Sequence, residues 1–111
     1  ESYADLRSIL LDAQPDEAML LAQRAAAALG WRVVDAAAPA GRTATGRIDA
    51  VALSLLYRFP DDVTIRIRPG VGETRIDVRS ASRVMGKHDF GANARHIRDF
   101  TREIETLAAQ R

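Results

Sequence analysis

The sequence predicts an α+β protein. The expected architecture is a two-layer sandwich: an antiparallel sheet of about four strands with two helices on one face, in the order α-β-β-β-β-α. Three observations lead there. Residues 62–68 and 74–83 alternate apolar and polar side chains with period two on either side of the turn Pro69-Gly70-Val71-Gly72-Glu73. Two other stretches, ending at Gly30 and near the C-terminus, repeat apolar residues at helical spacing. The strands alternate on one face only, so both helices should cover one side and leave the other wet.

The elements follow in order. Residues 1–14 have no clear period, although Leu6, Ile9, Leu10 and Leu11 are apolar enough to pack on the domain. Pro15 opens a helix, with Asp16 and Glu17 in the first turn, where carboxylates suit the positive end of the dipole. Ala18, Leu21, Ala22, Ala25 and Leu29 make one narrow stripe, and Gly30 suits the residue just past the helix end. A short strand is expected over 31–35 and a loop over 35–42, which holds Pro39 and Gly41. A second strand runs over 43–53, and 54–60 reads as a strand end or bend. In the hairpin, Val63, Ile65, Ile67, Ile76 and Val78 share a face that Ser80 and Ser82 continue. Residues 85–88 read as a loop, and Asp89 reads as the N-cap of the last helix. Ala94, Ile97, Phe100, Ile104, Leu107 and Ala108 supply that helix with a stripe.

Composition narrows the function classes. The chain has 111 residues, enough for a single domain spanning 1–111. It starts at Glu1 without a methionine, as an excised piece of a longer chain would. Sixteen basic residues oppose fifteen acidic ones, so no overall basic field points to nucleic acid. Lys87 is the only lysine. A GC-rich genome accounts for that bias, and selection for bidentate arginine contacts is the sharper reading. Cysteine is absent, which removes disulfides, thiol catalysis and most structural zinc sites. His88 and His96 stand too far apart for a helical metal pair. No metal or cofactor is expected. No apolar run reaches the ~20 residues of a membrane span.

Three constellations carry polar chemistry. Asp61-Asp62 could hold a cation, but adjacent aspartates at a strand start read first as turn residues. Ser80, Ser82, His88 and Asp89 name a nucleophile, a base and an orienter, yet the serines sit in an alternating strand rather than at a sharp glycine-flanked turn. The third is the dense stretch from Asp77 to Arg98. There the expected structural role is a polar network, with Asn93 and the serines satisfying backbone groups at the helix junction. Arg79 or Arg83 would pair with Asp62 or Asp77 across strands. The functional alternative is an anion site, where Gly91 allows close approach to a helix N-terminus beside arginines.

This stretch resembles the signature of the domain of unknown function family 1499, found in bacteria and photosynthetic organisms. The signature is an aspartate pair opening a strand, then D-x-R-S-x-S-R, a glycine, D-x-G-x-N and R-I. Asp61 and Asp62 match the pair, and Asp77, Arg79, Ser80, Ser82, Arg83, Gly86, Asp89, Gly91 and Asn93 match the rest. His96 stands where the signature has a basic residue before Ile97, and Met85 looks like an extra residue before Gly86. The resemblance implies no activity. It implies a location in the bacterial envelope, periplasmic or membrane-anchored, because many members look like envelope proteins.

Two function classes remain. The first is a non-catalytic binding or interaction module for a protein or an anionic ligand, with a membrane surface among the candidates. The second is a hydrolase-type enzyme using Asp62, His88 or Asp89. No catalytic residue is assigned. Alternation places Arg47, Arg66, Arg68, Arg75, Arg79 and Arg83 on the wet sheet face with Asp49, Asp62 and Asp77, a basic surplus. Nucleic acid is not expected, because Trp31, Tyr57, Phe59 and Phe90 all fall near element ends or in the bend.

Overall fold

The computed structural model describes residues 4–40, 44–83 and 91–111. Its elements are β1 (Ala4–Leu11), α1 (Pro15–Ala28), β2 (Arg32–Ala37), β3 (Gly46–Leu53), β4 (Pro60–Pro69), β5 (Thr74–Ser82) and α2 (Ala92–Ala109). All strand pairs are antiparallel, in the spatial order β1-β5-β4-β3-β2. The α+β class is therefore as expected, but the sheet has five strands and the chain opens on a strand.

The extra strand is the N-terminal segment that carried no period. In β1, Ile9 and Leu11 are buried while Leu6 and Leu10 are exposed, so apolar residues occupy both faces and mask the alternation. Pairing with β5 sets its phase, with Ile9 opposite Ile76 and Leu11 opposite Thr74. The other edge, β2, runs two residues further than expected, to Ala37, and is exposed throughout. A bulge between Val33 and Asp35, together with Arg32 and Asp35, makes this edge a poor template for another strand.

Helix α1 keeps its expected start, and Gly30 ends it in a Schellman motif. Trp31 N–H donates to Ala26 O and Gly30 N–H to Ala27 O, both at 3.0 Å, with Gly30 at φ 76°. The turn delivers Trp31 against α2, where its ring stacks on Phe100 at 5.7 Å and meets His96 edge-on. Helix α2 departs from expectation in two ways. Its N-cap is Gly91, at φ 81°, with no side-chain capping bond, so the position expected for Asp89 belongs to glycine. Asp89 and the 85–88 loop lie outside the described residues. The buried face also runs through Asn93, His96, Ile97, Phe100 and Ile104, leaving Ala94 exposed.

The core lies between the sheet and the two helices. Ile48, Ile65, Ile67, Ile76, Val78, Phe100 and Ile104 are fully buried there. Burying each such side chain is worth about 1.5–3 kcal/mol. Residues 54–59 form the expected bend. Ser54, itself buried, accepts the Phe59 N–H on its hydroxyl at 2.8 Å, while its own N–H donates to Phe59 O. Arg58 adopts a left-handed φ of 59° to close the turn.

Candidate functional site

The motif residues divide between the two faces of the sheet. On the helix side, Ser80 Oγ donates to Asn93 Oδ1 at 2.7 Å, and Asn93 Nδ2 donates to Ser82 Oγ at 3.3 Å. These side chains tie the first turn of α2 directly to β5. Beside them Asp61, opposite Ser82 in the sheet, is 1% exposed and meets His96 Nε2 at 2.9 Å. Its second oxygen, Oδ1, is buried without a hydrogen-bond partner among the described residues. Sequence reasoning singled out Asp62 of the pair and did not use His96. Both were legible: Asp61 shares parity with Val63, Ile65 and Ile67, and His96 precedes Phe100 by one helical turn.

On the wet side Asp62 pairs with Arg83. Arg83 Nε and Nη2 both donate to Asp62 Oδ1, at 3.2 and 2.8 Å, which raises the Arg83 pKa. Both side chains are exposed, so this pair adds little stability. Asp77 is the hub of the face. Burial pushes its pKa up, but hydrogen bonds from Ser8 and Arg68, with the charge and hydrogen bond of Arg75, outweigh that and hold it below 3.8. Arg68 Nε lies 2.6 Å and Arg75 Nη2 3.1 Å from its Oδ2. Arg47 is held by Asp49. Of the two arginines expected to pair with Asp62 or Asp77, Arg83 does so, while Arg66 and Arg79 have no hydrogen bond or ion pair among the described residues.

Sheet register adds Arg32 and Asp35 of β2 to this face. It then carries seven arginines (32, 47, 66, 68, 75, 79 and 83) against four aspartates (35, 49, 62 and 77). Leu6 and Leu10 of β1 stand beside Arg79 and Arg75 at 70% and 60% exposure.

At the end of the sheet where the Arg32 end of β2 and the Leu53 end of β3 meet α2, a groove of about 650 Å³ opens. Trp31 and His96 line it, with Arg58 of the bend and Arg95 of α2. No helix is long and apolar enough to cross a membrane, and no cluster of metal-ligating side chains occurs among the described residues. The anion site expected at Gly91 has its glycine at the α2 N-terminus, but the loop before it lies outside the described residues. His88 is likewise outside them.

A family profile described as protein of unknown function, DUF1499, matches residues 1–104. The chain belongs to the DUF1499 family. No curated protein matches it. Among solved structures, the DUF1499 chain is similar to the crystal structure of Ara h 8.0201, with a TM-score of 0.58 and 7% identity over 97% of this chain and 98% of that one. At that identity the likeness is one of fold alone.

Proposed function

We propose that this DUF1499 domain is a non-catalytic binding module of the bacterial envelope that lays its open sheet face on an anionic membrane surface. The observation that carries the reading is the surplus of arginine on that face, with Arg66 and Arg79 unpaired near its middle. Charge of this kind attracts anionic head groups. The exposed Leu6 and Leu10 on the same face give it apolar side chains to set among them. The hydrolase reading has less behind it. Asp62 is bonded to Arg83, and no serine hydroxyl among the described residues is bonded to a histidine.

Sedimentation with vesicles tests the proposal. The domain should pellet with vesicles rich in anionic lipid and not with neutral ones, and the binding should fade from low to moderate salt. Each basic residue near such a surface is worth roughly fivefold in affinity. Reversing both Arg66 and Arg79 to Glu should therefore abolish pelleting, while Arg24→Glu on the exposed side of α1 should not. Equal behaviour with both vesicle types would end the reading.

A further inference from the structure

The groove at the end of the sheet combines two features that the open face does not. Its walls are apolar where Leu29, Trp31 and Leu53 line it, and its rim is cationic. Arg32, Arg58 and Arg95 line it without any hydrogen bond or ion pair from their side chains among the described residues, and Arg83 joins them already bonded to Asp62. Asp99, one helical turn beyond Arg95, is the one carboxylate among the described lining residues. Among the described lining residues, three unpaired cations therefore face a single acid.

The bend that supplies Arg58 is built at a cost. A non-glycine residue in the left-handed region is strained, and Arg58 is the only such residue among those described. The hydrogen bonds of Ser54 hold it there. The same bend leaves Leu55, at the groove, 75% exposed. An apolar wall that ends in solvent, in a groove also lined by three unpaired guanidinium groups, matches a molecule with an apolar body and one anionic head. The groove is separate from the core, because Phe100, Ile65 and Ile104 fill the space between sheet and helices. Its volume lies within the ~300–1,000 Å³ usual for small-molecule sites.

We infer that this groove binds one amphiphilic anion, an alkyl phosphate or carboxylate taken as a monomer from solution, with its apolar body against Trp31 and Leu55 and its head at Arg58 and Arg95. The site goes beyond the sheet-face reading and does not depend on it.

Trp31 is the only tryptophan, so its fluorescence reports on the groove alone. Titration with decyl phosphate below its micelle concentration should give a saturable change in emission. The double variant Arg58→Glu, Arg95→Glu should weaken that response more than tenfold with its melting temperature kept, while Arg24→Glu should not change it. Inorganic phosphate should give no comparable response, and decyltrimethylammonium should not saturate. A saturable response to the cationic amphiphile, an equal response to inorganic phosphate, or indifference to the double variant would overturn the assignment. The variants that test vesicle pelleting, at Arg66 and Arg79, and those that test the Trp31 response, at Arg58 and Arg95, share no residue, so either can fail while the other stands.

Discussion

Truncating Asn93 should reveal how tightly α2 is bolted to the sheet. Its carbonyl accepts from Ser80, whose side chain is fully buried, and its amide donates to the half-buried Ser82. In Asn93→Ala, water can replace the lost partner of Ser82, at a net cost of about 0.5–1 kcal/mol. Water cannot reach Ser80 so easily, and a stranded buried hydroxyl costs about 1–3 kcal/mol. The sum is roughly 1.5–4 kcal/mol, or a fall in melting temperature of about 6–16 °C for a domain of this size. Ser80→Ala removes the hydroxyl that would be stranded, and by itself should cost about 1 kcal/mol. In the double variant the Asn93 truncation no longer strands the Ser80 hydroxyl, so the two effects should fall short of additivity by about 1–2 kcal/mol. Urea denaturation followed by circular dichroism, on the parent, both single variants and the double, measures this coupling. Additivity within about 0.3 kcal/mol would refute the shared network.

Two further outcomes are expected. Gly30→Ala should destabilise by about 1–2 kcal/mol, because an L-residue at φ 76° is strained even though a Cβ there meets nothing within 4 Å; a thermal melt that does not move would contradict the Schellman geometry. Asp77 has its pKa lowered by folding, so its contribution to stability is full above its unfolded value near 3.8 and is lost as pH falls through the lower folded value. The stability gap between the parent and Asp77→Asn, followed by denaturation from about pH 6 downwards, should therefore close only below about pH 4; a gap that does not change across that range would remove Asp77 from the acid response.

Much of the fold was legible because its signals are local. The period-two alternation of β4 and β5 and the apolar stripe of α1 with its Pro15 and Gly30 boundaries depend only on neighbours in the chain. The outward placement of Arg47, Arg66, Arg68 and Arg75 follows from the same parity. Two other features needed the folded chain. Segment 4–11 carries apolar residues at both parities, and only the hydrogen bonds of β5 choose Ile9 and Leu11 for the core and leave Leu6 and Leu10 outside. Asp61 and His96 are 35 residues apart, and they meet only because the fold brings the first turns of α2 to the start of β4. Parity placed Asp61 inward, but no local pattern could supply its partner. The sequence by itself determined which side chains share a face. Tertiary structure decided which elements pair and which distant groups meet, because those choices depend on long-range contacts that no window of neighbouring residues contains.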